Sequence, residues 1–259
     1  MNDIQIIPLT GIPLIQPGDD LAQILGEAIE RLERPHGFLK PVRSGDVLVV
    51  AQKIVSKAEG RYVDLDTVTP SGHAKAVALQ CEKDPRLIEV ILSESSAVVR
   101  VRPGLIITRH RLGFVAANAG VDRSNVAPDG IDRVLMLPEN PDRSAQQIRA
   151  ALRERLGVDL GVIIADSHGR PHRMGTVGVA IGLAGLPGFE DWRGRTDLFG
   201  YTLQHTEVGL ADQIAAAATL MLGQAAEAIP AVIVRGAVYE ARNGSAQEIN
   251  RPANLDLFP

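Results

Sequence analysis

The chain has little cysteine and few aromatic residues. Its 259 residues include a single cysteine, Cys81, which excludes an internal disulfide or a multi-cysteine metal site. Aromatic residues make up 3% of the chain, which leaves no surface on which nucleic-acid bases would stack. The net charge is -4 and basic residues are scattered among acids, unlike the basic patch of a nucleic-acid-binding protein. We therefore expect no nucleic-acid partner.

Long apolar runs are missing as well. No segment approaches the roughly 20 apolar residues that a membrane-spanning helix requires, so no membrane partner is expected. The N-terminal residues MNDIQIIPLTG carry an acid where a signal peptide has basic residues, and Pro8 interrupts their apolar run. Together with the low cysteine content, these features predict a cytoplasmic protein.

Three common motifs are also absent. Without a G-x-x-x-x-G-K-[ST] loop, a bound triphosphate is not held in the P-loop manner. The absence of G-x-G-x-x-G and G-x-S-x-G argues against a dinucleotide-dependent oxidoreductase and an α/β-hydrolase.

Residue periodicity predicts a mixed α+β fold with largely antiparallel sheets. The length suits one unit, residues 1–259, with two interleaved lobes whose boundary the sequence does not mark. The run DVLVVA predicts a buried strand that ends in a polar turn carrying Lys53 and Lys57. Other predicted strands are 4–8, two or three within 97–120, 161–165, 176–184 and the segment AVIVRG.

Helices are predicted over 21–32, near 73–92 and, with many alanines, over about 207–222, where Gly223 ends the last one. Residues 120–145 have the prolines and aspartates of a long ordered loop that ends at a helix capped by Ser144. Residues 185–200 form a polar, glycine-rich excursion.

The segment ADSHGRP follows the apolar strand GVII. Asp166 and Ser167 lie where this strand meets its loop, and they offer the oxygen ligands that Mg²⁺ and Mn²⁺ prefer. An Asp-Ser turn explains the same two residues without a metal. Four glycines between 175 and 185 interrupt the next strand, which indicates close approach of a ligand or tight packing of another backbone.

Basic residues surround this segment. Arg170 and Arg173 have the fork geometry that binds phosphate or carboxylate, although solvated or acid-paired arginines fit the pattern equally. His168 and His172 are four residues apart, but the glycine and proline between them exclude the helix that would make them a zinc pair.

Asp122 and Asn125 in GVDRSN form a second candidate site. A carboxylate and an amide three residues apart suit a cation or a nucleotide, but an Asx turn explains them without a ligand. Gln224, just after the alanine-rich helix, offers an amide oxygen to a cation or caps the helix.

Five motifs in order, GIPLI, IVSKAEGR, GVDRSNV, ADSHGRP with GVAIG, and GQAAEAIPAVIVRG, resemble the gamma-glutamyl ligase family of the deazaflavin coenzyme F-420. The resemblance covers nearly the whole chain. It implies that L-glutamate is added to F-420-0 with GTP, two divalent ions (Mg²⁺ or Mn²⁺) and K⁺, through an acyl phosphate and with the possibility of further γ-linked glutamates. It also implies an intertwined homodimer of the stand-alone form.

The resemblance assigns roles to residues of this chain. Asp122 and Asp166 bind the first metal, Ser167 and Gln224 bind the second, and Lys57 adds positive charge near the phosphates as a catalytic residue with the two aspartates. The implied nucleotide contacts are Ile12, Pro13, Leu14, Ile15, Gln52, Lys53, Lys57, Asn125, Leu222, Gly223, Gln224, Ala225, Ala226, Glu227, Ala228 and Ile229.

The chain departs from the family pattern at three positions. His172 stands where the family has an aromatic residue, and Gln52 and Lys53 replace small hydroxyl residues. Arg193 and Arg195 in DWRGRTD are candidates to close over the anionic F-420-0, or belong to a solvated loop.

Two other functions use the same candidate residues. A metal-dependent phosphohydrolase would employ the same carboxylates with water as the nucleophile. A non-catalytic guanine-nucleotide-binding module would bind GTP or GDP without turnover.

Overall fold

The computed structural model describes residues 3–32, 42–126 and 131–256. In chain order its strands are β1 (Gln5–Pro8), β2 (Val47–Ala51), β3 (Tyr62–Asp64), β4 (Ser95–Arg102), β5 (Leu105–His110), β6 (Val115–Ala117), β7 (Arg133–Leu135), β8 (Gly161–Arg170), β9 (Arg173–Ala184), β10 (Glu190–Asp191), β11 (Glu207–Val208) and β12 (Ala231–Arg235). Its helices are α1 (Leu21–Leu32), α2 (Gln52–Ala58), α3 (Gly72–Cys81), α4 (Pro85–Ser93), α5 (Pro141–Leu156) and α6 (Leu210–Leu222).

A five-stranded sheet in the order β1-β12-β2-β8-β9 organises the largest part of the molecule. Its neighbours are antiparallel except β2 and β8, which run parallel with Ala51 opposite Ala165. The three smaller sheets found within the described residues are also antiparallel. The predicted α+β class with largely antiparallel sheets is therefore confirmed.

Helices cover both faces of this sheet. Because side chains alternate along a strand, Leu48 and Val50 face one side of β2 while Val47 and Val49 face the other. The first pair packs in a core with α1 and α5, and the second pair packs in a core with α6. These two layers of helices hold the five-stranded sheet in place, and the candidate site residues lie at one end of its strands.

A third core lies between α3, α4 and the strands of residues 62–135. Leu65, Ile88, Ile91 and Ile106 are completely buried in it. The strands β4, β5 and β6 form an antiparallel three-stranded sheet, as predicted for 97–120. Within the residues that the structure describes, no helix has both the length and the apolar character to cross a membrane.

Two predicted helix boundaries were wrong. The stretch 73–92 is two helices, because Glu82 ends α3 in a left-handed conformation with φ of 53° and Pro85 begins α4. Proline suits the first position of a helix, where its missing N–H has no partner to lose. The alanine-rich helix α6 begins at Leu210 rather than at Glu207, which belongs to β11.

The predicted loop 120–145 also needs correction. It contains β7, and residues 127–130 lie outside the described part of the chain. Asn140 caps α5, since its Oδ1 accepts a hydrogen bond from Arg143 N at 3.0 Å. Ser144 instead donates to Glu59 Oε1 at 2.6 Å. The prediction of Ser144 as the cap missed Pro141 as the first helical residue.

Candidate active site at the sheet edge

Four chain segments meet at one edge of the five-stranded sheet. The strands β1, β2 and β8 point their carboxyl ends to this edge, and β12 begins there. Leu9 N donates to Ala231 O at 2.9 Å, and Ala51 N donates to Pro230 O at 2.8 Å. Four of the five predicted site motifs lie after β1, after β2, in the part of β8 beyond its pairing with β2, and before β12, while the fifth, GVDRSNV, follows β6.

The polar turn predicted after β2 is the helix α2, which corrects the sequence analysis. Because α2 begins directly at Gln52, Lys53 and Lys57 are one helical turn apart and share a face. Gln52 is buried, and its Oε1 accepts a hydrogen bond from Ser56 Oγ at 2.8 Å. The two lysines, rather than Gln52, therefore reach toward the loop that carries Asp122.

Lys53 binds the Asp122 loop at three points. Its Nζ lies 2.8 Å from Asp122 Oδ2, 3.0 Å from Ser124 O and 2.6 Å from Ser124 Oγ. Asp122 also accepts hydrogen bonds from Ser124 N at 2.7 Å and Ser124 Oγ at 3.1 Å. The predicted Asx turn is thus present, and it presents the carboxylate to a lysine.

Lys57 and Asn125 extend the contact to the segment before β12. Lys57 Nζ donates to Asn125 O at 2.7 Å, and Asn125 Nδ2 donates to Ala225 O at 2.9 Å. Asn125 has a positive φ of 56°, a conformation that asparagine tolerates better than most residues. These two hydrogen bonds join three separate sequence motifs.

Side chains of both charge signs lie close together at this site, and they shift the pKa values of Asp122 and Lys57. Partial burial alone would raise the pKa of Asp122, but Lys53 and Ser124 outweigh it and hold that pKa below its ordinary value. Burial and the nearby Lys53 charge lower the pKa of Lys57. Asp122 is consequently an anionic oxygen donor beside the Lys53 amino group.

Asp166 lies inside β8 rather than where the strand meets a loop, which corrects the predicted position. The partner strand β2 ends opposite Ala165, so Asp166 is the first residue beyond that edge, while β8 continues beside β9 to Arg170. Its Oδ2 lies 3.0 Å from His168 Nε2. Residues two apart on a strand share a face, so this histidine and Asp166 point to the same side.

His168 is held by aromatic packing. Its ring centroid lies 5.0 Å from that of Phe114, which stacks at 5.0 Å on the buried His110. Burial raises the pKa of Asp212 in α6, whose Oδ1 accepts a hydrogen bond from Ala180 N at 2.9 Å. Phe114 and Asp212 are not predicted from the sequence, because neither belongs to a motif.

Two glycines of β9 pack closely against helices. A Cβ on Gly178 would lie 2.4 Å from Thr219 Cγ2, and one on Gly182 would lie 2.4 Å from the Pro141 backbone. Tight backbone packing, the second of the two predicted explanations, accounts for both.

The remaining predicted nucleotide contacts differ in exposure. Ile15 is buried in the core and Ile12 packs against it, whereas Pro13 and Leu14 are exposed. Gln224 through Ala228 are exposed, and Leu222, Gly223 and Ile229 are half-buried. Glu227 Oε2 accepts a hydrogen bond from Ala225 N at 2.8 Å, which fixes this turn.

The four predicted substrate arginines lie on two projections of the chain, which are the tip of the β8–β9 hairpin and the excursion of residues 185–200. Arg170 donates to Met174 O at 3.1 Å within the β8–β9 hairpin, where Arg173 is exposed. Arg193 pairs with Asp191 at 2.5 Å, and Arg195 lies 5.0 Å above the Trp192 ring. These contacts stay within the hairpin or the excursion, and the substrate role of the arginines remains a prediction.

The oxygen donors suit a hard cation. In the described part of the chain, no group of three or more His, Cys, Asp and Glu side chains is arranged to hold a metal. The predicted ligands instead combine carboxylates with hydroxyl and amide oxygens: Asp122, Asp166, Ser167 and Gln224. Three oxygens already converge on the Lys53 ammonium, as they would on Mg²⁺ or Mn²⁺.

Comparison with known proteins decides the family. A family model described as "F420-0:Gamma-glutamyl ligase" matches residues 11–236. The chain belongs to this family. Each of the five motifs that carry the resemblance lies within the matched residues.

Three relatives of the chain are each named "Coenzyme F420:L-glutamate ligase". The chain is 47% identical to that of Methanopyrus kandleri over 265 residues, which cover 100% of both chains. It is 44% identical to that of Methanothermobacter thermautotrophicus over 257 residues, 98% of both chains. It is 43% identical to that of Methanocaldococcus jannaschii over 218 residues, 84% of this chain and 86% of that protein.

Proposed function

We propose that this chain joins L-glutamate to coenzyme F-420-0 in a GTP-dependent ligation. The names of its relatives support the ligation, and the contacts at the sheet edge support a common site. The single observation that carries the proposal is the junction of Lys57, Asn125 and Ala225, which lie in three of the shared motifs. The guanine nucleotide is proposed to lie along this junction, against residues 12–15, the lysines of α2 and residues 222–229.

Two divalent ions, Mg²⁺ or Mn²⁺, are proposed to bind beside the nucleotide, and K⁺ is a further proposed cofactor. Asp122 and Asp166 would hold the first ion, and Ser167 and Gln224 the second. Bound there, the ions would neutralise charge that builds on the transferring phosphoryl group. His168, at 3.0 Å from Asp166 Oδ2, would leave the other carboxylate oxygen for the ion.

The chemistry requires an activated carboxylate. A carboxylate does not condense with an amine at neutral pH, so an oxygen of the F-420-0 carboxylate is proposed to bond to the γ-phosphorus of GTP. The bond from that phosphorus to the β–γ bridging oxygen breaks, GDP leaves, and an acyl phosphate remains. Lys57 would add positive charge beside the phosphates during this step.

The second step forms the amide. The α-amine of L-glutamate bonds to the acyl carbon and loses a proton, and inorganic phosphate leaves with the original carboxylate oxygen. Repetition on the new glutamate would extend the product by γ-linked residues.

The test is a reaction with each component omitted in turn. With GTP, F-420-0, L-glutamate and Mg²⁺ or Mn²⁺, we expect GDP release together with a product that is heavier by one glutamate residue in mass spectrometry. Release of more than one GDP per chain must require both F-420-0 and L-glutamate, because the first step alone yields one GDP and one acyl phosphate. Cleavage of GTP without them indicates a phosphohydrolase, and GTP binding without turnover indicates a binding module; either result contradicts the proposal.

A homodimer is the proposed working form. Large apolar side chains are exposed on both projections, with Leu198 97%, Phe199 96% and Met174 95% exposed. Such surfaces often mark sites of protein–protein contact. The alanine-rich helix gives no additional support, because Ala215 and Ala218 are buried against the chain's own sheet.

A further inference from the structure

The Lys53 ammonium occupies a position that a metal ion would compete for. It lies within 3.0 Å of three oxygens, two of which belong to Ser124 and one to Asp122. Lys53 and Asp122 are about one-third exposed, with side-chain exposures of 28% and 36%. The pair is therefore accessible to ions from solvent, yet it is partly shielded from water.

The Asp122 carboxylate has no oxygen without a donor. Its Oδ1 accepts the hydrogen bond from Ser124 N, and its Oδ2 accepts those from Ser124 Oγ and Lys53 Nζ. Of these donors, only the lysine is a cation on a long flexible stem. A divalent ion on Asp122 would be repelled by this ammonium at close range, so the lysine is the group that must give way.

We propose that Lys53 is an internal counter-cation that occupies Asp122 in the metal-free chain and leaves it when a divalent ion binds. The displaced ammonium then becomes a ligand of the nucleotide phosphates. This inference rests on the proposed role of Asp122 as a metal ligand. Lys57 does not take part in the exchange, because it contacts the Asn125 carbonyl rather than a carboxylate.

The exchange makes two predictions of opposite sign for Lys53→Met. Removing the ammonium removes the competitor for Asp122, so Mn²⁺ binds the nucleotide-free chain about three- to tenfold more tightly. Removing it also removes a phosphate ligand, so GDP binds the Mn²⁺-saturated chain more weakly by a similar factor. A purely structural role for Lys53 would weaken both.

The measurement uses the full-length chain and Mn²⁺ as the probe. Free Mn²⁺ is followed by its electron paramagnetic resonance signal, and GDP binding is followed by calorimetry at saturating Mn²⁺. Lys83→Met is the matched control, since Lys83 donates to the uncharged Asn118 Oδ1 at 3.1 Å and its loss changes net charge equally. We expect the control to leave both affinities unchanged. Lys53→Gln replaces Lys53→Met if thermal melting shows that the latter does not fold.

The outcomes separate this inference from the proposed function. Unchanged or weaker Mn²⁺ binding by the Lys53 variant overturns the exchange, and so does unchanged GDP affinity. An unchanged number and affinity of Mn²⁺ sites in Asp122→Asn instead overturns the metal role on which the exchange rests. Tighter Mn²⁺ binding together with weaker GDP binding supports the exchange, provided that both effects are lost in the double variant that also carries Asp122→Asn.

Discussion

Asp122 and Asp166 reach the same sheet edge by different routes. The first is tied to α2 by Lys53, and the second follows the last pairing of β8 with β2. Replacing either by asparagine keeps its shape and removes a charge, so we expect Asp122→Asn and Asp166→Asn each to lower kcat by at least about 100-fold, since even indirect partners of a metal contribute about 10- to 100-fold. Ligation assays and circular dichroism check the activity and the fold. Activity within about tenfold of the parent would contradict the metal assignment.

Glu94 is a buried carboxylate outside this site. Its oxygens lie 3.0 Å from Arg61, 3.1 Å from Arg111 and 3.4 Å from His110. Burial alone would raise the pKa of Glu94, but His110, Arg61 and Arg111 outweigh it and lower that pKa from 4.5 to about 2. Because the folded-state value is the lower one, this stabilisation is present above pH 4.5 and is lost as the pH falls toward about 2.

We expect Glu94→Gln to lower the free energy of unfolding at neutral pH by about 3 kcal/mol, because two arginines lose a buried counter-charge. The variant should also lose less stability than the parent between pH 4.5 and about 2. Urea unfolding of both proteins across this range measures the difference. Glu154→Gln, on the exposed side of α5, is the control. Parallel stability curves for Glu94→Gln and the parent would show that the carboxylate is not the titrating group.

The sequence identified the candidate site residues that belong to motifs, but not the groups that hold those residues in place. Asp122, Asn125 and Asp166 were recognised because carboxylates and amides stand next to turn signals, and Lys57 was assigned its role by the family resemblance. The partners of these residues come from distant parts of the chain. Phe114 against His168 and Ala225 against Asn125 depend on the tertiary fold, which no local pattern encodes.

At the scale of elements, close packing of α6 on β9 depends on Gly178. An added Cβ would lie 2.4 Å from Thr219 Cγ2 and 2.7 Å from Ala215 O, a backbone atom that cannot move independently. We expect Gly178→Ala to lower the free energy of unfolding by about 1–3 kcal/mol through overpacking. A Cβ on Gly169, in the adjacent strand, would have no neighbour within 4 Å. We therefore expect Gly169→Ala to change the free energy of unfolding by less than about 0.5 kcal/mol. Equal stabilities in urea unfolding would refute this account of the packing.

Helices and strands with a sustained hydrophobic period were predictable from the sequence, but the residues at which they begin and end were not. Alternating or continuous apolar runs located β1, β2, β9 and β12, and helical spacing located α1. The short helix α2 escaped detection because its polar residues resemble a turn. β8 extends past its apolar half because the hairpin pairing with β9, rather than burial, continues it to Arg170.

For the whole molecule, the proposed homodimer makes a direct prediction. Leu198, Phe199 and Met174 expose apolar surface that a partner subunit would cover. Light scattering at micromolar concentration should therefore give about twice the chain mass of 27.7 kDa. Dilution should lower activity before a folded monomer accumulates, because an obligate interface contributes to stability. A fully active species of 27.7 kDa would exclude the proposed homodimer.

The most direct test of the proposed chemistry follows one oxygen atom. F-420-0 labelled with ¹⁸O in its terminal carboxylate is incubated with GTP, L-glutamate and Mg²⁺ or Mn²⁺, and the released phosphate is analysed by mass spectrometry. If the carboxylate attacks the γ-phosphorus, each amide formed transfers one ¹⁸O atom to phosphate. Amide product formed together with unlabelled phosphate would contradict activation through an acyl phosphate, whereas one ¹⁸O atom in the amide carbonyl is expected in either case.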